Sequence, residues 1–304
     1  MTSARPYHRG ASAELRRRNS FPDDTFARQL TPETIRERAA WARAELMNCH
    51  FCAHHCGVNR LTGELGHCRA GADAKVFSAQ VEVGDELELV PTFAIALSGC
   101  DLRCDFCITG ESSWNSRAGE PLQLEALAAR ARAALAKGAR TIMILGGEPT
   151  IHLPAALEIA AAMPEDSRLV WKTNAHGSEQ ARELLDGVFD VWLADYKFGN
   201  DHCAARLARI PDYTRIVREN LLWAVGHSEL IVRHLVMSGH VDCCWRPVAR
   251  WLAAELPGVK VSLRAGFWPA WHSARHIELC RTVSASESNA AFQFAADLGL
   301  NLIQ

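Results

Sequence analysis

Residues 97–110 read LSGCDLRCDFCITG and place three cysteines, Cys100, Cys104 and Cys107, at a CxxxCxxC spacing. Gly99, just before them, lets the chain turn sharply or approach a ligand closely. Three thiolates can hold three irons of a [4Fe–4S] cube and leave the fourth open to a substrate or cofactor, whereas a structural site is expected to use every position. The alternative is a structural zinc completed by a histidine from elsewhere, but this loop offers no histidine and the spacing is uncommon for zinc.

A second group, Cys49, Cys52, Cys56 and Cys68, lies in CHFCAHHCGVNRLTGELGHCRAG (49–71), with His50, His54, His55 and His67 as spare ligands. The segment is glycine-punctuated, as a metal-held loop would be. It is read as an auxiliary [4Fe–4S] cluster, an electron relay or a scaffold. Zinc is the alternative, because a CxxC knuckle and a glycine turn before Cys68 suit tetrahedral coordination. Four thiolates would fill either metal, so direct substrate binding is not expected there. Cys203, Cys243, Cys244 and Cys280 are scattered and read as buried structural thiols.

The chain has 304 residues, enough for one large α/β domain plus an extension, or for two small domains. A net charge of −2 argues against wholesale nucleic-acid binding. The basic stretch RPYHRGASAELRRRNS (5–20) reads as a solvated, disordered tail. No apolar run is long enough to span a membrane, since LELVPTFAIAL (87–97) is short and broken by Glu88, Pro91 and Thr92. The N-terminus lacks a secretory apolar core. With eleven cysteines, this points to a cytoplasmic protein with metal or thiol chemistry rather than disulfides. The expected organisation is a tail over 1–30, a cysteine-rich extension over 31–91 and a core over 92–304.

The elements that must position these groups follow from pattern. Thr31 and Pro32 suit a helix start, and TPETIRERAAWARAELMN (31–48) leads into the first cysteine group. AKVFSAQVEVGDELELV (74–90) reads as an extended pair turning near Gly84-Asp85. From residue 93, strand candidates at 93–98, 141–146, 168–173, 191–195, 230–237 and 260–265 alternate with helical stretches at 121–138, 153–163, 178–187, 212–226, 244–256 and 284–300. Six β/α repeats imply a largely parallel sheet with function at the strand C-termini.

GCDLRCDFC resembles the signature of radical S-adenosylmethionine (SAM) enzymes. GGEPT (146–150), KTNAHG (172–177), LADYKF (193–198) and VRHLVMSGH (232–240) resemble further elements of the pyruvate formate-lyase activating enzyme-like branch. The upstream CxxCxxxC…C segment resembles a subgroup of that branch. The resemblance implies an α/β fold, a partial (β/α)6 TIM barrel with an N-terminal cysteine-rich extension. It also implies an open iron chelated by the methionine moiety of SAM. Reduction by an external one-electron donor such as flavodoxin or ferredoxin would then yield methionine and a 5′-deoxyadenosyl radical that abstracts hydrogen from substrate.

Specific residues inherit roles from this resemblance. Gly146, Gly147 and Glu148 would receive the methionyl ammonium, largely through backbone groups. Thr173 and Asn174 end the third strand. Asp195 and Lys197 share one side of an extended segment; they would balance charge and orient SAM, or form a plain ion-bridged strand end. Relatives hold a monovalent cation near such an aspartate, but Lys172 departs from their local pattern. Arg233 and His234 lie on opposite strand faces, one toward the barrel and one beneath the helices. His240 would reach the SAM ribose or carboxylate, although Ser238 replaces the usual proline before it. Phe106 would neighbour the adenine through its backbone.

The pattern breaks at LRAGFWPAWHSARH (263–276), where Arg264, Gly266, Phe267, Trp268, Trp271 and His272 would form either a substrate wall or a core cover. Ile108-Thr109 also stand where relatives often carry Gln-Asn. The expected substrate is a small molecule or peptide, with a protein as a further possibility. Activation of a glycyl-radical enzyme is the alternative. A non-catalytic iron–sulfur or metal-binding interaction protein is a third class. No hydrolytic triad is evident.

Overall fold

The computed structural model describes residues 30–304 apart from Asp85, so the tail expected over 1–30 lies, save for Leu30, outside the described residues. Helix α1 (Pro32–Glu45) starts as its sequence dictates: Thr31 Oγ1 accepts from Thr34 N at 3.3 Å, and Pro32 fills the first turn. Its buried stripe of Ile35, Ala39 and Ala42 lies along a later helix at Leu153–Ala162. Full burial of Ile35 alone stabilises by about 1.5–3 kcal/mol.

Among the described residues, nine strands form one sheet. They are β1 (Lys75–Glu82), β2 (Thr92–Leu97), β3 (Glu120–Pro121), β4 (Thr141–Gly146), β5 (Leu169–Thr173), β6 (Val191–Asp195), β7 (Glu229–Leu235), β8 (Lys260–Arg264) and β9 (Asn301–Ile303). Their order is β3-β1-β2-β4-β5-β6-β7-β8-β9. From β2 through β9 every pair is parallel, while β1 is antiparallel to both β2 and β3. A short helix α2 (Glu111–Trp114) follows the CxxxCxxC loop. The crossovers carry α3 (Leu124–Ala136), α4 (Leu153–Ala162), α5 (Glu179–Leu185), α6 (Asp201–Ala208), α7 (Tyr213–Ala224), α8 (Arg246–Glu255) and α9 (Ala285–Asp297). This is the incomplete barrel expected from the β/α alternation.

Strand alternation divides the interior into two cores. Ile142, Ile144, Trp171, Trp192, Val232 and Val261 join the core that includes Leu157, Leu184, Leu221 and Leu252 of the surrounding helices. Met143, Val170, Val191, Leu193 and Ile231 point the other way and make an apolar lumen floor with Leu89.

The pair expected within 74–90 does not form. β2 is buried along its whole length and needs neighbours at both edges; β4 takes one and β1 the other. Residues after the bend instead turn back at Glu86–Val90, and Leu87 N donates to Gln304 O at 2.8 Å beside the last strand. The expected turn residue Asp85 is outside the described residues. Four short elements, α2, β3, α6 and β9, are additions to the expected series.

Candidate active site

The three cysteines leave the C-terminal end of β2 after Gly99, whose φ of 86° is left-handed. Cys100 and Cys104 are buried and Cys107 is half-buried. Burial pushes the Cys100 thiol up, with Asp101 adding to it, and pushes Cys104 up to about 12, partly offset by the Lys197 ammonium. Such thiols stay protonated near neutrality unless a metal displaces their protons. Among the described residues, the three are not one of the ligand sets whose atoms all lie within 4.8 Å of one another. That wider spread suits a cube, in which each corner iron takes one thiolate, better than a single ion.

The loop is held by acids that sequence reasoning passed over. Asp101 is fully buried, accepts from Asn174 Nδ2 at 2.7 Å, and pairs with His176 Nδ1 at 2.8 Å. Its backbone oxygen meets His54 Nε2 at 3.1 Å, which brings in the N-terminal cysteine segment. Asp105, between Cys104 and Phe106, binds Arg209 at 3.2 Å, Arg275 at 3.1 Å and His276 at 2.8 Å. Residues 265–280 are thereby pinned across the cysteine loop, assisted by His272 N donating to Asp105 O at 2.7 Å. The only sequence signal for either acid was its place inside the cysteine motif.

The next strand ends close around this loop. A Cβ on Gly147 would stand 1.9 Å from Gly99 O, so only glycine admits this approach. Gly147 N donates to Leu97 O and Glu148 N to Gly99 O, each at 2.9 Å, which spends both backbone donors inside the fold. The buried Glu148 carboxylate accepts from Thr150, from Thr173 Oγ1 at 2.8 Å and from Asn174 N at 2.7 Å. Burial, with Asp101 nearby, nonetheless pushes Glu148 up to about 7. Glu148, Thr173 and Asn174 are therefore joined in one knot between the ends of β4 and β5. Asn174 Nδ2 also lies 3.8 Å from Cys100 Sγ.

Above the apolar floor runs a charged layer. Lys197 Nζ meets Asp195 Oδ2 at 2.5 Å, and Arg233 Nε lies 4.0 Å from Asp195 Oδ1. Burial pushes Asp195 up, but Lys197, Arg233 and Lys172 outweigh it and hold the carboxyl below its ordinary range. Asp195 in turn helps lift Lys197 to about 12 against its burial. Glu86, fully buried, faces Arg233 at 3.7 Å and Arg264 at 3.3 Å and accepts from Ser262 at 2.7 Å. Its Oε2, like Arg264 Nε and Nη2, makes no hydrogen bond among the described residues. Arg233 thus takes the lumen side, while His234 packs against Trp245 and bonds Tyr196 O at 2.6 Å. No sequence pattern pointed to Glu86; only closure of the chain ends brings it here.

The divergent rim divides into buried and exposed aromatics. Phe267 is buried beside Phe106, which itself stacks edge-on with Phe198. Trp268 is 67% exposed, and Trp271 packs on Trp114 next to the cysteine loop.

In the N-terminal segment, Cys49, Cys52 and Cys68 sit within electrostatic reach of one another, and burial pushes the Cys52 and Cys68 thiols up. Cys56 is exposed and accepts from His67 N at 3.3 Å. The segment is docked by two buried arginines. Arg60 donates to Ile151 O at 2.6 Å, and Arg103 donates to Cys68 O at 3.1 Å.

One expectation is corrected. Cys203, Cys243 and Cys244 are not scattered thiols but gather around His240, forming a Cys/His group able to hold a metal. Cys280 stays apart and exposed. The His240 imidazole, expected near SAM, has its Nδ1 turned into these thiols. Loops after two different strands supply the group, so chain order hid it.

Comparison with known proteins agrees with this geometry. Residues 95–252 match the profile of the Radical SAM superfamily. An uncharacterised protein of Methanocaldococcus jannaschii is 30% identical over 283 residues, covering 90% of this chain and 82% of that protein. Among solved structures, SuiB of Streptococcus suis bound to its precursor peptide SuiA superposes with a TM-score of 0.52 at 14% identity, over 67% of this chain and 46% of that one. SuiB bound to S-adenosylmethionine aligns equally well, over 47% of its chain. This chain thus spans about half the length of SuiB, and the likeness is one of fold. No described helix is long and apolar enough to cross a membrane.

Proposed function

The chain belongs to the radical SAM superfamily, and from that membership we propose that it acts on a peptide or small molecule held at the barrel mouth. A [4Fe–4S] cluster on Cys100, Cys104 and Cys107, with SAM on its fourth iron, would supply the 5′-deoxyadenosyl radical that abstracts hydrogen. The chain is an enzyme of oxidoreductase type that generates this radical by cleaving SAM. The observation that carries the reading is the CxxxCxxC loop at the end of β2, opening beside the charged lumen.

The residues of the chain bind, orient and exclude water. Met143, Val170, Leu193 and Ile231 leave the floor dry. Above them Lys172, Lys197, Arg233 and Arg264 face two carboxylates, Asp195 and Glu86. Four cations against two anions leave two positive charges, which suits the carboxylate of SAM and a carboxylate on the substrate. Arg264 pairs with Glu86 through Nη2 at 3.3 Å, while its Nε makes no hydrogen bond among the described residues and is the donor left for such a group. Gly146, Gly147 and Glu148 would receive the methionyl ammonium, Asp195 and Lys197 would balance charge and orient SAM, and Phe106 would flank the adenine. Trp268 and Trp271 would form the outer wall.

The finer assignments rest on sequence motifs. The elements at 146–150, 172–177, 193–198 and 232–240 favour the pyruvate formate-lyase activating enzyme-like branch. Cys49, Cys52, Cys56 and Cys68 would hold an auxiliary [4Fe–4S] cluster; their looser grouping favours it over zinc. The electron would come from a flavodoxin- or ferredoxin-type donor.

Anaerobic reconstitution of the wild type and two variants tests this reading. SAM cleavage to 5′-deoxyadenosine should be lost when Cys100, Cys104 and Cys107 become alanine. Replacing the four N-terminal cysteines should remove about half of the iron, in line with two cubes per chain. Cleavage retained without the three core thiolates would overturn the core assignment. A glycyl radical formed in a partner protein would replace the small-substrate reading.

A further inference from the structure

The group at Cys203, His240, Cys243 and Cys244 shares no residue with either of the other cysteine sets. We propose that it is a closed, tetrahedral site for a single zinc ion, with three thiolates and one imidazole as ligands. With zinc–sulfur bonds of about 2.3 Å and zinc–nitrogen bonds of about 2.0–2.1 Å, tetrahedral angles put sulfurs about 3.8 Å apart and sulfur about 3.6 Å from nitrogen. The Cys203 and Cys243 sulfurs are 3.9 Å apart, and those of Cys243 and Cys244 are 4.0 Å apart. His240 Nδ1 lies 3.2 Å from Cys243, 3.6 Å from Cys244 and 3.7 Å from Cys203. All four ligand atoms lie within 4.8 Å of one another. There is room at the centre for one ion and not for a cube, whose thiolates sit on separate irons.

The local backbone builds this set. Cys244 N and Trp245 N both donate to His240 O, at 3.0 and 3.2 Å, so residues 241–245 form a single wide turn of π-helical type. Residues three and four apart share a helix face, which puts His240, Cys243 and Cys244 together. Cys203 arrives from the first turn of α6, whose cap Asn200 donates to Cys203 Sγ at 3.3 Å and to Cys243 O at 2.6 Å. A Cβ on Gly199 would stand 2.2 Å from Cys244 O, so glycine is required where the two loops meet. Behind the imidazole, Glu278 Oε1 lies 3.6 Å from His240 Nε2 and is itself paired with Arg206. Arg206 Nη2 also lies 3.5 Å from Nε2, so this ion pair backs the ring with Nδ1 turned to the thiols; a metal on Nδ1 would place the proton on Nε2, facing the carboxylate.

Four protein ligands leave no open position, so the role is structural. The ion would clip the loop after β6, which carries Lys197, to the loop after β7. It would thereby hold one wall of the lumen at a fixed distance from the next.

The test uses the full chain, purified with zinc in the medium and then loaded anaerobically with iron and sulfide. Metal analysis should find one zinc per chain beside the iron. X-ray absorption at the zinc edge should show three sulfurs and one nitrogen. The variant lacking Cys49, Cys52, Cys56 and Cys68 should keep that zinc, as should Cys280→Ser. Cys203→Ser with Cys243→Ser should lose it without losing iron, and a zinc chelator should lower the wild-type melting midpoint to that of this variant. Zinc absent from the wild type, zinc bound mainly by oxygen, or iron lost in place of zinc would each overturn the proposal. The edge spectrum of the wild type decides the matter even where the double variant does not fold. Because zinc content is read independently of SAM cleavage, failure here leaves the proposed radical chemistry untouched, and the reverse holds too.

Discussion

Replacing Asp105 with alanine should loosen the strap of residues 265–280 from the CxxxCxxC loop while leaving the sheet intact. The magnitude follows from its three partners. His276 is 2.8 Å away with a side chain only 12% exposed, and a charge-assisted bond of this kind contributes about 1.5–3 kcal/mol. The Arg209 and Arg275 side chains are 45% and 51% exposed, so each adds about 0–1 kcal/mol after solvent screening. Two main-chain bonds, His272 N to Asp105 O and Asp105 N to Leu207 O, survive the substitution. The loss is therefore about 1.5–5 kcal/mol of local stability, or roughly 10- to 4000-fold more frequent opening of the strap. Hydrogen exchange on the metal-free protein reads this directly in peptides from 265–280. Asp105→Asn, which keeps acceptor oxygen for one partner, should fall between the two. Unchanged exchange in the strap would refute the reasoning, as would an equal rise in peptides from β5.

Two further outcomes follow. Gly147→Ala should lower stability by about 1–3 kcal/mol or more in urea melts, because the backbone oxygen of Gly99 cannot rotate away from the new methyl; Gly71→Ala, with nothing near its Cβ position, is the near-neutral control. The Asp195–Lys197 pair should contribute a constant increment between about pH 5 and 9.5. Asp195, depressed in the fold, stabilises fully above its unfolded value near 3.9 and loses this as pH falls through its lower folded value. Lys197, raised to about 12, stabilises fully below about 10.4 and loses this as pH climbs through its folded value. Urea midpoints of wild type against Asp195→Asn with Lys197→Met would contradict this assignment if their difference sloped across that window.

Much of the architecture was legible because burial leaves local marks. TIMILG and VWLAD could only be interior strands, and β4 and β6 occupy those ranges without adjustment. The cysteine motif was legible for the same reason, since its chemistry lies within one loop. What escaped was set by tertiary pairing. β1 chose β2 over its own sequence neighbour because β2 had an edge to fill. Glu86 looked like any loop acid until Arg233 and Arg264 closed over it. His-x-x-Cys-Cys at 240–244 carried a weak spacing signal. Cys203, about forty residues earlier, carried none. α6 was too short for its periodicity to register against the loops around it.

The pinning of Asp105 also orders events in time. Its partners Arg275 and His276 lie 170 and 171 residues further along the chain, and Arg209 lies 104 further. A polypeptide made from its N-terminus therefore presents the three cysteines long before the groups that fix their loop exist. Domains fold as units once enough chain has emerged. The cysteine loop can gain its final shape only after residues 275 and 276 have emerged, so the fixed geometry for metal loading arises late. In a growing chain the thiols are exposed to stray metals and oxidants for the whole of that interval.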